Sequence, residues 1–321
     1  MSILNNRKIE VVVGKQGEEG YAIRNHRIDF NVSYTGDAGE PPKGRITIHQ
    51  PPERLAGLLK RDGANFISLS AGYGDNASVI FAGRPVRSGV RLSRTSANWE
   101  LVVEALSGGE RYRNARTQTS VGGSTNFEGF VREAIRNADL QVGVLDLEQA
   151  PNTLPRVVFE GGSFRILERL AGMARCELVF DGAKVHFLQA GVGLTEGTEA
   201  IASFSSRMGT LIGQPTETDK GLSVRVLLDP RIRVGKRVQV EYYDPFVLKY
   251  VSSTQVVRSV TFRGSNYGND YYADIIGYTP TKAAKDEPTN DAEQRVLMKG
   301  ANITGAKSGN LDVSPTDLPP R

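Results

Sequence analysis

A chain of 321 residues with 39% hydrophobic residues can bury a sizeable core and suggests about two domains. Thirty-five glycines and 15 prolines favour short strands and turns over long helices; one cysteine and three distant histidines exclude an intramolecular disulfide and leave little for a zinc site or a histidine relay. Forty basic against 36 acidic residues give +4 and a pI near 9.1, interspersed as on a solvated surface rather than gathered on one nucleic-acid-binding face. No run approaches the roughly 18 apolar residues of a membrane span. The opening MSILNNRKIEVVVGKQ has no apolar core of the kind a signal peptide carries, so none is expected.

Residues 28–50 read as strands, with Ile28, Phe30 and Val32, then Ile46 and Ile48, alternating with polar neighbours. TGDAGEPPKG between them is a turn-rich connection. After Pro51-Pro52, Leu55, Leu58 and Leu59 fall at helical spacing. FISLSAGY, SVIFAGRPVRSGVRLSR and NWELVVEAL then read as a strand series.

The middle of the chain changes character. Thr125 and Glu128 fit a capping box ahead of an amphipathic helix carrying Phe127, Phe130, Val131, Ala134, Ile135 and Ala138 on one face. A second helix follows Ser163, burying Ile166, Leu167, Leu170, Ala171 and Ala174. ELVF-DG-AKVHFL is then a hairpin about Asp181-Gly182, a pair suited to a type I′ turn.

Past residue 200 the β pattern returns. GRITIHQPPERL (44–55) matches GLSVRVLLDPRI (221–232) as a strand, a proline and a charged turn. PVRSGVRLSRTSANWELVVEA (85–105) matches VVRSVTFRGSNYGNDYYADII (256–276) as a Val-Arg-Ser strand with an aromatic-bearing return strand. The matched order suggests a duplicated β domain, and three such chains about an axis would present six copies of it. Residues 281–321 contain no aromatic residue and four of the prolines, a composition that cannot fold alone.

Candidates for chemistry are sparse. There is no phosphate-binding P-loop. Gly191-x-Gly193-x-x-x-Gly197 misses the dinucleotide fingerprint by one residue and reads as an interdomain loop. Cys176 and His186 are the one conceivable nucleophile and base, but His186 is expected to face out of its hairpin and Cys176 to be a small core residue. His26 and His49 read as polar surface. Asp75 and Glu100 are considered as paired carboxylates because they flank aromatic residues. In Gly209–Pro215, Gln-Pro is expected to stop a strand; the segment reads as a buried turn or as a loop inserting into a neighbouring subunit.

Taken together, ITIHQPPERL, IFAGRPVRSGV, GGSFRILERLAGMARCELVFDGAKVHF, MGTLIGQPTETDKGLSVRVLLDPRIRVGKRVQVE and YYADIIGY resemble the baseplate hub proteins of contractile-tailed bacteriophages. That group includes the T4 hub, the Mu hub and the late-control protein D group, and is similar to the N-terminal part of the type VI secretion spike. The resemblance covers residues 1–280. It implies a mainly β fold: tube-like β-barrel domains over 1–106 and 199–280, flanking a small α+β insert over 107–198, with an extended tail over 281–321.

The function it implies is a homotrimeric adaptor at the tail tip of a virion, made in the bacterial host cytoplasm. Its partners would be the sixfold tail tube protein, the threefold tail spike protein and other baseplate proteins, with DNA only in transit through the bore. A tail-tube or distal-tail ring protein, and a cell-wall hydrolase, are the alternatives. No catalytic residue, cofactor, metal or small-molecule substrate is expected. Leu211, Ile212, Gln214, Pro215, Leu297, Met298, Ile303 and Leu311 are the candidate partner contacts, and residues 281–321 are expected to clasp a neighbouring hub, spike or baseplate protein.

Overall fold

The computed structural model of the chain describes residues 6–281 and 285–286, apart from 16–19, 36–40, 61–64, 96–97, 108–115, 122–124, 139, 155–156, 182–183, 196–200 and 220. The first β segment holds β1 (Arg7–Gly14), β2 (Tyr21–Ile23), β3 (Ile28–Thr35), β4 (Lys43–His49), α1 (Glu53–Lys60), β5 (Phe66–Tyr73), β6 (Ser78–Thr95) and β7 (Asn98–Leu106). The middle holds β8 (Arg116–Val121), α2 (Phe127–Asn137), β9 (Gln141–Leu145), β10 (Val157–Gly162), α3 (Ser163–Met173), β11 (Cys176–Asp181) and β12 (Lys184–Gln189). The chain continues through β13 (Leu194–Thr195), β14 (Ala202–Ser205), β15 (Leu211–Thr218), β16 (Gly221–Leu227), β17 (Arg237–Asp244), β18 (Lys249–Ser265), β19 (Tyr271–Tyr278) and β20 (Lys285–Asp286).

Alternation along these strands sets their faces. β3 buries Ile28, Phe30 and Val32 and turns Asn31 to solvent; β19 buries Tyr271, Ala273 and Ile275. Both β segments join one large sheet ordered β15-β16-β19-β18-β3-β4-β7-β6-β5-β1-β2, with β14 and β17 branching from β18. The long strand β6 changes partner between Gly83 and Arg84, just ahead of a bulge between Pro85 and Val90: its first part pairs with β5 and its second with β7. The first part folds back as a second layer, so that Tyr34 Oη donates to the Ile80 carbonyl at 2.6 Å. A side chain at Gly44 on β4 would collide with the Phe81 ring, so glycine is what lets that ring seal the layers.

The middle unit has its own hydrophobic cluster. α2 and α3 cover one face of the sheet β11-β12-β9. The predicted faces of both helices are buried, and the rings Phe130–Phe159 and Phe164–Phe180 stack at 5.2 and 4.9 Å. β8 and β10 form a separate antiparallel ladder. The cap of α2 is Asn126, whose Oδ1 accepts from Gly129 N–H at 2.8 Å, and not Thr125: the helix starts one residue later than the capping-box reading placed it. Asp181 pairs with Lys184 in the expected hairpin, while Gly182 lies outside the described residues.

His186 corrects the sequence reading. It is fully buried, because the sheet β11-β12-β9 is covered on both faces. Val179, its cross-strand partner, and Leu188 join the main β core, while Leu178, Phe180, Val185 and Phe187 face the helices. A histidine on the face opposite the helices therefore points into protein. The Nδ1 atom accepts from Val144 N–H at 3.1 Å, which leaves the proton of a neutral ring on Nε2.

The last described residues run back along the linker that follows the middle unit. Thr281 N–H donates to the Gly191 carbonyl at 3.2 Å, and β20 pairs in parallel with β13. Gly191 has φ +84°, and a side chain there would overlap Thr281. Gly191 and Gly193 thus belong to a loop against the tail's start; Gly197 lies outside the described residues.

Candidate assembly surface

Two four-stranded units in the large sheet have one connectivity. The first runs β3-β4-β7-β6 and the second β15-β16-β19-β18, each a hairpin whose second strand pairs with the last strand of another hairpin. The long strands match in detail. β18 also bulges, between Val257 and Ser259, just past Val256, where pairing with β17 ends and pairing with β19 begins. The bulges differ in length, but Ala105 and Gly277 are each paired just before one, and this match sets the buried Leu101, Val103 and Ala105 on the buried Ala273, Ile275 and Gly277, and Trp99 on Tyr271.

The units meet where β18 pairs with β3, from Ser259↔Thr35 to Ser265↔Asp29. Phe262 packs across this seam on Tyr34, rings edge to face at 6.3 Å. Tyr271, at the start of β19, is locked by the tip of the β5–β6 hairpin of the other unit. Its hydroxyl oxygen accepts from Gly72 N–H at 2.7 Å and lies 3.0 Å from the Lys8 carbonyl. The Tyr73 ring meets the Tyr271 ring edge-on at 5.1 Å, and the Arg7 guanidinium lies 5.0 Å from the ring centre. Burial, countered in part by the Gly72 hydrogen bond, holds the Tyr271 phenol well above its usual range. Arg7 also donates to the Ser265 and Gly268 carbonyls, and Asn266 bonds both Ile28 N–H and the His26 carbonyl.

The solvent-directed face of the joined units is polar and mixed in charge. Arg263, Asn31, Arg45 and Glu104 lie side by side across four strands. Arg225 pairs with Asp274 at 2.6 Å and Arg91 with Glu104 at 3.8 Å. At one end His49 corrects its reading as bare polar surface: its ring contacts Asp29 at 2.6 Å and Glu100 at 3.4 Å, and its side chain is only 15% exposed. Burial opposes the Asp29 charge, but hydrogen bonds from Ser265 and His49 and the nearby Arg27 outweigh it and hold that carboxyl below its usual range.

Each unit ends in an open edge. The second part of β6 pairs with β7 alone, and β15 with β16 alone, among the described residues. Leu92 sits on the core-side face of β6 yet is 44% exposed. On β15, Leu211 is buried, Ile212 and Gln214 are exposed, and Pro215 is half-buried. Contrary to the expectation from sequence, Gln-Pro does not stop this strand, which runs on to Thr218. The pairing slips between Ile212 and Thr216, and an edge strand needs no donor on its free side. Leu297, Met298, Ile303 and Leu311 lie outside the described residues. Sequence reasoning does not single out Phe246, Met208 and Leu248, the most exposed of the large apolar side chains among the described residues, nor Val247 beside them at the β17–β18 tip, nor the half-exposed Trp99. The one sequence signal for any of these was the aromatic residue opening each return strand.

The other candidate residues are not assembled into a catalytic site. Cys176 faces the helices and His186 the opposite side of the same sheet; the Cys176 thiol donates to the Asp146 carbonyl at 3.1 Å. Asp75 is exposed beside Lys8, and Glu100 is held by His49. Among the described residues, no three His, Cys, Asp or Glu side chains gather as a metal site.

Solved structures place this architecture. The tail protein from Neisseria meningitidis MC58 superposes with a TM-score of 0.58 at 11% identity, covering 87% of this chain and 99% of its own. The 43 kDa tail protein of prophage MuSo2 from Shewanella oneidensis gives 0.54 at 12%, covering 85% and 98%. The chain has the fold of phage tail proteins. An E. coli component of the type VI secretion system, described as similar to the T4 tail proteins gp27 and gp5, also gives 0.54 at 12%, covering 80% and 74%. No protein-family model and no curated protein matches the chain.

Proposed function

We propose that the chain is a structural hub of a phage tail, acting as a homotrimer that joins the sixfold tail tube to the threefold spike. The β18–β3 seam carries this reading. It joins the last strand of one four-stranded unit to the first strand of its near-copy, and each chain leaves open one edge of each kind. Repeating the seam between copies pairs the second part of β6 with β15 of the next chain. Three chains then close a ring of six units, and neither β6 nor β15 is left to recruit further copies.

The tube-like domains are residues 1–106 and 199–280, with the insert 107–198 on the outside. The mixed-charge face lines the bore, where Arg225–Asp274 and Arg91–Glu104 neutralise one another. DNA passes such a wall without the phosphate grip of a basic one. The protein acts at the virion tail tip, made in the host cytoplasm, with tube, spike and other baseplate proteins as neighbours and no reaction to catalyse.

Light scattering on the purified protein tests the ring. The expected mass is that of three chains. Leu92→Asp and Ile212→Lys, each placing a charge at one open edge, are expected to give monomers with unchanged circular dichroism. Trimers of both variants would contradict the edge pairing. The tail supplies a separate test: truncation after Asp286, which keeps β20, is expected to leave the trimer intact and stop particle assembly. Normal particles from the truncated chain would contradict a clasping role for residues 287–321.

A further inference from the structure

The seam inside the chain buries an aromatic residue that its counterpart leaves exposed. Tyr271 is 2% exposed because the hairpin tip of the adjoining unit closes over it with Gly72, Tyr73 and Arg7. Trp99 occupies the matching position on β7, on the same core-side face and two residues from the buried Leu101, yet it is 45% exposed. Arg94 lies over its ring in the manner of Arg7, 5.8 Å from the ring centre.

The tip that matches β5–β6 in the second unit is the β17–β18 turn, and its chemistry is reversed. Where the first tip is Gly74-Asp75-Asn76, the second is Pro245-Phe246-Val247-Leu248. Phe246 is 95% exposed and Leu248 75%. Leu248 is held at φ +51°, a strained value for a leucine, which keeps the turn projecting. The patch continues through Tyr243 and Tyr250, rings edge-on at 5.4 Å. Arg207 lies 3.7 Å from the Tyr250 ring centre and reaches Glu241 at 3.8 Å, tying the tip to the turn that carries Met208 and leads into the open edge β15. The apolar tip is therefore continuous with the edge on which the ring reading rests.

We infer that a second copy of this chain covers Trp99 with its β17–β18 tip. This inference rests on the ring proposed above. When β15 of one copy pairs with β6 of another, the seam geometry carries the β17–β18 tip of the first onto the start of β7 of the second. Phe246 and its neighbours then take the place over Trp99 that Gly72 and Tyr73 take over Tyr271. The two contacts differ in kind. Inside the chain the lock is a phenol bonded to backbone, formed once on folding. Between chains it is an apolar contact of an exposed tip with a half-exposed indole, which leaves little buried polar group unsatisfied in the free protomer. Alternating polar and apolar locks also give the closed ring threefold symmetry from six similar units.

Trp99 is the only tryptophan, so its fluorescence reports the contact directly. On dilution of the full-length protein through the trimer–monomer transition, followed in parallel by light scattering, Trp99 emission is expected to be blue-shifted and shielded from acrylamide in the trimer. It is expected to be red-shifted and quenchable in the monomer and in Leu92→Asp. Phe246→Ser, at a residue with almost no contacts in the protomer, is expected to keep the circular dichroism and weaken the trimer roughly thirtyfold, as loss of one interface anchor would. A trimer whose Trp99 remains as quenchable as in the monomer, or whose stability is unaltered by Phe246→Ser, overturns the lock and leaves the ring standing. A chain that is monomeric at every concentration overturns both.

Discussion

Replacing Tyr271 by alanine is expected to cost about 3–5 kcal/mol of folding stability, the range for removing a large buried aromatic side chain. The residue is 2% exposed and ties three parts of the chain at once: β19, the β5–β6 tip through Gly72 and Tyr73, and β1 through Lys8 and Arg7. Tyr271→Phe separates shape from polarity. It keeps the ring contacts but leaves Gly72 N–H, bonded to the hydroxyl at 2.7 Å, without its acceptor. A buried donor left so costs about 1–3 kcal/mol. Urea unfolding of the two variants in the monomeric Leu92→Asp background measures both effects without a contribution from assembly. A loss below about 1 kcal/mol for the alanine variant would show that the seam does not hold the two units together.

Acid is expected to destabilise the protein through His186. Burial, the largest influence, holds its imidazole down to about 4 from an ordinary value of 6.5, against the pull of Asp181. The unfolded chain therefore takes up a proton below pH 6.5 that the folded chain refuses until about pH 4. Stability is fully present above pH 6.5 and falls as the pH drops through that window, by about 3 kcal/mol in total for this one group. His186→Asn, whose side-chain oxygen can accept from Val144 N–H as Nδ1 does, is expected to remove most of that acid limb while changing stability at pH 8 much less. An acid limb of equal depth in the variant would assign it to other groups.

The sequence made the strands legible because half-buried strands alternate, as in Ile28, Phe30 and Val32, and made both helices legible because their apolar stripes are complete. The likeness of 85–105 to 256–276 held the most information, since it marks two hairpins in equal places of the two units, each with a bulge in its first strand; the structure moves the match by one residue, from Ala105 on Ile276 to Ala105 on Gly277. What alternation could not convey is which strands have a second layer. His186 alternates as though one side of its strand met water, and only the packing of the middle unit against the main core reverses that. Pro215 misled for a related reason: a proline halts a central strand, but nothing in the local sequence says that β15 lies at an edge. The candidate surface was half visible. Ile212 and Gln214 stand out in the glycine-bounded segment, whereas Trp99 becomes conspicuous only beside the buried Tyr271, and Phe246 only beside the polar tip Gly74-Asp75-Asn76.

In the tail, three chains are expected to close one ring. Counting copies of this protein per purified tail particle, by quantitative mass spectrometry against the tube protein, tests it most directly. Three copies per particle is the predicted result. Six copies, or a large multiple of six, would make it a distal-tail ring or the tube itself, and absence from the particle would contradict a structural role in the tail.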